Sequence, residues 1–152
     1  MAGWNVIDMK RRLRSFNVEK QTEKSVKEGA WQIIELNKIN LEQGLNRDGK
    51  LVGTYSPFTE RWARTSKRKH NESKTAGSAF NLNWTGDFIN GIFITYGNHK
   101  IEFFSKGMGL TKKSFFITSN KLLGISKKYY NIMRNDIIAP RLQTKFKSHL
   151  GK

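Results

Sequence analysis

The chain has 152 residues, a formal net charge of +16 and no cysteine. This length suits one domain with a hydrophobic core of ordinary size. The lack of cysteine excludes disulfides, thiolate metal sites and cysteine nucleophiles, and no apolar run is long enough for a signal peptide or a membrane span. We therefore expect a globular protein that does not contact a membrane.

The positive charge is the strongest compositional feature. Lys and Arg number 28 against 12 Asp and Glu, and most of the excess lies after residue 60. A surface of this kind favours an anionic partner, which could be nucleic acid, an anionic membrane or an acidic protein surface.

The first part of the chain predicts a basic arm followed by a long helix. Residues 1–17 form the arm, and residues 18–45 have apolar positions at steps of three, four and seven, as on one side of a helix. The apolar positions are Val26, Ala30, Ile33, Ile34, Leu41 and Leu45. Asn37 interrupts this stripe, and Gly29 costs the helix about 1 kcal/mol relative to alanine.

A short helix is expected after residue 56, with Ser56 as its N-cap and Pro57 at its first position. The small polar residues 71–78 have no periodicity and indicate a loop, and we expect a mobile loop over about residues 64–80. A second short helix follows, for which Thr85 can serve as the cap and Asp87 lies in the first turn.

A β-hairpin is predicted from two apolar runs that flank Gly97 and Asn98. With these two residues as the turn, residues 96 and 99 pair, as do 94 and 101, and 92 and 103. Apolar side chains then share one side of the hairpin, and Phe93, Thr95, Lys100 and Glu102 share the other. Residues 114–118 predict a further strand.

The last element is a basic helix over residues 127–150, with Ser126 as its N-cap. Its apolar stripe has steps of four before and after Pro140, which should kink or break the helix. The predicted fold is therefore α+β: a long N-terminal helix, an antiparallel β-meander of three or more strands and a C-terminal helix. Residues 18–150 form a single domain after the arm.

Motifs for catalysis or cofactor binding are missing from the sequence. His70, His99 and His149 are far apart, and the glycine runs lack the context of a phosphate-binding loop. Asp87 and Glu102 could serve a nuclease together with a lysine, but Lys106 is four positions beyond Glu102, which is too distant on a strand. We expect no cofactor, no metal and no enzymatic activity.

Residues 61–74 are the best candidate for a contact site, because this stretch contains six basic residues and a single acidic one, Glu72. Trp62 lies within this stretch and could stack on a base, while the basic residues could contact phosphates. A solvated surface loop explains the same composition equally well. The candidate contact residues are Arg61, Arg64, Lys67, Arg68, Lys69 and Lys74.

Three short motifs occur in a fixed order: Tyr-Ser-Pro-Phe-Thr at residues 55–59, Leu-Asn-Trp-Thr-Gly-Asp-Phe at 82–88, and Leu-Leu-Gly-Ile-Ser at 122–126. In this order the chain resembles the tail-completion or virion-morphogenesis proteins of tailed bacteriophages, which act at the neck and in head–tail joining. The resemblance covers about residues 18–150. The basic arm and the high net charge are departures from the family's pattern.

The resemblance implies a non-enzymatic, structural virion protein that assembles in the host cytoplasm as a homo-oligomeric ring at the neck or tail end. Its partners would be other virion proteins, such as portal, adaptor or tail proteins, and contact with DNA is possible. The alternative is a basic nucleic-acid-binding protein, and a small nuclease is a third hypothesis.

Overall fold

The computed structural model describes residues 6–65, 74–81, 86–106 and 121–151 and has the predicted α+β architecture. Helices precede and follow a two-stranded antiparallel sheet. In chain order the elements are α1 (Val6–Ser15), α2 (Val18–Glu28), α3 (Ala30–Glu42), α4 (Pro57–Thr65), α5 (Asp87–Asn90), β1 (Ile92–Gly97), β2 (Lys100–Ser105), α6 (Lys127–Ile132), a π-helical segment (Met133–Ile138) and α7 (Ala139–Leu150).

The prediction of one long helix over residues 18–45 is wrong, because Gly29 divides this stretch into α2 and α3. Glycine has a low helix propensity, which accounts for a break at this position. Gly29 also lies close to the C-terminal helical region, because a Cβ atom at position 29 would lie 2.5 Å from Cγ2 of Ile137. Glycine therefore permits the close crossing of the two helical regions.

The C-terminal helix starts after Ser126, as predicted, and its α-helical geometry is interrupted before Pro140 by the π-helical segment. Proline interferes with the preceding helical turn, since it lacks an N–H and its ring meets the carbonyl four residues earlier. The apolar stripe has one step of five residues, from Ile137 to Leu142. The wider π turn accommodates this extra residue and keeps both halves of the stripe on one side.

The hairpin forms, but its predicted register is wrong by two residues. The observed pairs include Tyr96 with Ile101, and Phe93 faces Phe104 instead of Glu102. The turn consists of Asn98 and His99, which both have positive φ, at 49° and 58°. Two central residues with positive φ match the twist of the strands, so Gly97 lies at the end of β1. A shift of two residues leaves every side chain on its predicted side.

The core lies between α2, α3, the sheet and the π-helical segment. One cluster consists of Val26, Ile33, Met133 and Ile137, and a second joins α3 to β1 and to the segment before α6 through Leu41, Ile92 and Leu122. Asn37, which interrupts the apolar stripe, is buried here. Its Nδ2 donates to the carbonyl oxygens of Gly124 (2.7 Å) and Leu122 (3.4 Å). This polar residue therefore fixes the irregular chain segment against α3.

The predicted basic arm includes helix α1, which packs on the C-terminal end of the chain. The ring centroid of Phe16, just after α1, lies 5.1 Å from that of Phe146, and Nε2 of His149 lies 2.8 Å from the carbonyl oxygen of Arg12. All residues of α1 are exposed or partly exposed. The helix is therefore held to the domain chiefly at its own C-terminal end.

Several sequence predictions fall on residues outside the described ranges. Among them are the strand at residues 114–118 and the capping role of Thr85. Helix α5 begins at Asp87, and the residue in its N-cap position is Gly86, which has a φ of 83°.

Candidate interaction site

Helix α4 begins as the sequence predicts. The backbone N–H of Thr59 donates to Oγ of Ser56 at 3.2 Å, so Ser56 is the N-cap. Pro57 occupies the first helical position, where its missing N–H costs no hydrogen bond. The Tyr-Ser-Pro-Phe-Thr motif thus has a local structural role, which is to start this helix after a turn.

The inner side of α4 packs on the segment 74–81. Ala63 is buried, and the Ala76 N–H donates to Oε2 of Glu60 at 2.8 Å. The other carboxylate oxygen of Glu60 forms an ion pair with Arg64. The backbone hydrogen bond, and secondly the charge of Arg64, lower the pKa of the Glu60 carboxyl from its ordinary value. Glu60 is therefore an ionised link between the helix and the turn after residue 74.

Backbone hydrogen bonds connect the same segment to the chain before α4. The N–H of Tyr55 donates to the carbonyl of Ser78, and the N–H of Phe80 donates to the carbonyl of Gly53, at 2.9 and 3.0 Å. The Tyr55 hydroxyl donates to Oδ1 of Asn81 at 2.8 Å. These contacts fix the segment 74–81 to the chain that leads into α4.

Lys74 differs from the other predicted contact residues because it is only 2% exposed. Its ammonium lies 5.8 Å from the ring centroid of Tyr55, and burial lowers its pKa. Lys74 therefore belongs to the packing beneath α4 and is not part of its exposed basic surface. A count of charges along the sequence cannot distinguish these two environments.

The opposite side of α4 is exposed, and we call it the α4 outer face: Phe58, Arg61, Trp62 and Thr65. These residues have the i, i+3, i+4, i+7 spacing of one helical side. Phe58 is 74% exposed and Trp62 is 42% exposed. Arg64 lies beside this face, and its side chain is largely exposed. Lys67, Arg68 and Lys69, the other predicted contact residues, lie outside the described residues.

The sequence predicted Arg61 and Trp62 of this face, and Arg64 beside it, as contact residues, but not Phe58. The sequence does contain a pattern that indicates Phe58: it lies four residues before Trp62, so both share one side of a helix, and the buried Ala63 lies on the other side. An apolar pair opposite the buried side of a short helix indicates a second contact surface. That surface is both aromatic and basic.

A second exposed face lies on α3, opposite its buried residues. We call it the α3 outer face: Trp31, Glu35, the partly exposed Lys38 and Glu42. Trp31 is 67% exposed, and both glutamates are exposed. Glu35 also pairs with Lys38 on the same helix at 3.5 Å. The apolar stripe used to predict this helix did not include Trp31, because it lies on the other side.

The acids considered for nuclease chemistry are placed on different elements. Asp87 begins α5, and the exposed Glu102 pairs with Thr95 across the hairpin. In the part of the chain that the structure describes, no group of three or more His, Asp or Glu residues could hold a metal ion. No described helix is both long and apolar enough to cross a membrane.

A groove of about 660 Å³ lies between the hairpin, α2 and α6. Its walls include aromatic and apolar side chains together with Arg47, Glu102 and Arg134. The two arginines have contacts of their own: Arg47 with Asp48 and Arg134 with Asn135. The groove thus has charges of both signs, and the described residues that line it include no convergent set of catalytic groups.

Comparison with known proteins finds no family model, no curated protein and no solved structure that the chain matches.

Proposed function

We propose that this chain is a structural subunit of a tailed-phage virion that forms a ring at the neck or the tail end. The α4 outer face is the observation that supports this best. The Tyr-Ser-Pro-Phe-Thr motif starts a helix whose inner side packs on its own chain and whose outer side exposes Phe58 and Trp62. Exposed aromatic residues beside arginine are typical of protein interfaces.

The other motifs support the same proposal. The Leu-Leu-Gly-Ile-Ser motif at residues 122–126 contributes the buried Leu122 and Ser126 and leads into α6. The proposed subunit has a meander of at least three strands, in which residues 114–118 add to β1 and β2. In the virion it contacts portal, adaptor or tail proteins, and it has no catalytic role.

Nucleic-acid binding is the second candidate function, and the α4 outer face also favours it. Arg61 and Arg64 could neutralise phosphates, and the two aromatic rings could stack on unpaired bases. The chain's net charge of +16 would add a general attraction to any nucleic acid. A ring subunit and a nucleic-acid-binding protein differ in their native mass and in their response to salt.

Light scattering of nucleic-acid-free protein at about 50 mM and 500 mM salt separates the two functions. A ring subunit gives one closed oligomer whose mass is the same at both salt concentrations and without DNA. A nucleic-acid-binding protein gives a monomer that binds a DNA oligonucleotide at low salt and releases it at high salt. The second result would reject the ring and support the alternative.

A further inference from the structure

Helix α1 concentrates positive charge on a short segment at the edge of the domain. Four of its ten residues are Lys or Arg, and Asp8 is its only acid. All ten residues are exposed or partly exposed. The helix therefore presents a net charge of +3 to its surroundings.

The two sides of α1 have different surroundings. Met9, Leu13 and Phe16 share one side, with the i, i+4, i+7 spacing of a helix. Phe16 packs against Phe146 of α7. Met9 and Leu13 are each 42% exposed, less than Val6 at 65%. This apolar side of α1 is therefore the side that lies toward α7.

The other side of α1 is basic, and we call it the α1 outer face: Ile7, Lys10, Arg11 and Arg14. These residues have the i, i+3, i+4, i+7 spacing of one helical side, and all four are exposed. Arg11 pairs with Asp8 at 2.9 Å. Within the described residues, Lys10 and Arg14 form no ion pair. The face thus has cations that no described acid neutralises.

We infer that the α1 outer face binds the phosphate backbone of double-stranded DNA, independently of base sequence. Lys and Arg side chains contact phosphates directly and release the counterions that surround DNA. The inference goes beyond the proposed ring, because it assigns a partner to a face that is separate from the α4 outer face. The protein's net charge of +16 attracts the same partner over a longer distance.

Three features of α1 favour duplex DNA over other anionic partners. A helix that binds a lipid surface inserts its apolar side, and on α1 that side lies toward α7. Protein interfaces are enriched in aromatic residues and depleted in lysine. Single-stranded nucleic acid stacks its bases on aromatic rings. The α1 outer face has a lysine and no aromatic residue, whereas the α4 outer face has two aromatic residues.

The experiment measures the affinity of the full chain for a short DNA duplex, by fluorescence anisotropy over a series of salt concentrations. The double variant Lys10→Gln/Arg14→Gln loses two cations but keeps residues of good helix propensity. The slope of log affinity against log salt should become shallower by at least about 1.8, and the affinity at about 100 mM salt should fall by at least about 60-fold. Two unrelated duplex sequences should give the same result, since phosphate contacts do not read the bases.

Two matched double variants serve as controls. Lys24→Gln/Arg134→Gln removes one lysine and one arginine from exposed positions on other elements, and it should bind nearly as tightly as the wild type. Lys10→Arg/Arg14→Lys exchanges the two side chains of α1 but keeps both charges, and it should also bind like the wild type. Circular dichroism should show the same helix content in all the variants.

A loss of affinity confined to Lys10→Gln/Arg14→Gln supports the inference. Equal losses in that variant and in Lys24→Gln/Arg134→Gln overturn it, because the attraction then belongs to the whole chain. An equal loss in Lys10→Arg/Arg14→Lys overturns it as well, because charge is then not what binds. If Lys10→Gln/Arg14→Gln binds like the wild type, DNA is bound elsewhere and the inference is wrong.

A wild type that binds no duplex at about 50 mM salt also overturns the inference. In that case the same variants are tested with vesicles that contain phosphatidylserine and with polyglutamate. Binding that depends on Lys10 and Arg14 would then assign the α1 outer face to an anionic membrane or to an acidic protein.

Discussion

The buried side of α3 and the outer side of α4 have the same helical spacing but different surroundings. On α3, Ile33 and Leu41 are completely buried by residues that are distant in the sequence, including Leu122 and Ile137. On α4, Phe58 and Trp62 remain exposed. Apolar spacing therefore locates a helix side that is used for contact, but it does not reveal whether the same chain or another molecule covers it.

The largest expected effect on stability contrasts the two sides of α3 itself. Ile33→Ala removes a fully buried side chain and should lower the free energy of unfolding by about 2–5 kcal/mol. Trp31→Ala, on the outer face of the same helix, should change it by less than about 0.5 kcal/mol. Urea unfolding of both variants measures the difference, and equal losses would show that Trp31 is covered within the monomer.

A smaller loss is expected for Asn37→Ala. The variant leaves the carbonyl oxygens of Gly124 and Leu122 without their donor in a buried position, which should cost about 1–3 kcal/mol. Asn131→Ala, at an exposed position of α6, is the control and should be neutral. If the two variants unfold at the same urea concentration, Asn37 does not fix the segment before α6.

The stability that the hydrogen bond between Glu60 and Ala76 contributes should depend on pH. The pKa of Glu60 is lower in the folded protein than in the unfolded chain, so its ionised carboxyl stabilises the fold above the unfolded pKa. This contribution is lost as the pH falls through the lowered folded pKa. The melting temperature of the wild type should thus fall more between about pH 6 and pH 3 than that of Glu60→Gln.

Glu102→Gln is the control for the loss of one carboxyl group, since Glu102 is exposed on the hairpin. It should follow the wild type across the same pH range. If acid lowers the melting temperatures of the wild type and of Glu60→Gln by the same amount, the contact of Glu60 with Ala76 does not stabilise the fold.

The smallest effect on stability is expected on the α4 outer face. Phe58→Ala removes a side chain that is 74% exposed and should change the free energy of unfolding by less than about 0.5 kcal/mol. Dilute protein, unfolded in urea, gives this value without a contribution from assembly. A large loss would place Phe58 within the packing of its own chain.

The parts of the fold that could be predicted depend on local sequence signals. Ser56 and Pro57 start α4 through neighbouring atoms, and the alternation in the hairpin fixes which side each residue faces. The break at Gly29 was not predicted, because the apolar stripe continues past this residue, and its close packing against Ile137 joins positions more than a hundred residues apart. The hairpin register was missed for another reason: Asn98 and His99 adopt positive φ where the nearby glycine was the more obvious choice.

The candidate site was predictable to the same extent. A charge count found Arg61 and Arg64, which are exposed on α4, and it included Lys74, which is buried against Tyr55. It passed over Phe58 and Trp31, because exposure depends on what the rest of the chain covers. Composition therefore indicates that a basic surface exists, and only the packed structure shows which side chains belong to it.

A comparison of the native masses of the wild type and Phe58→Ala tests most directly whether the α4 outer face is a subunit contact. If the α4 outer face joins neighbouring subunits, light scattering should give a closed oligomer for the wild type and a monomer for Phe58→Ala, with both proteins equally stable. The same mass for the two proteins would contradict the account, because the most exposed aromatic residue of the face would then have no part in assembly.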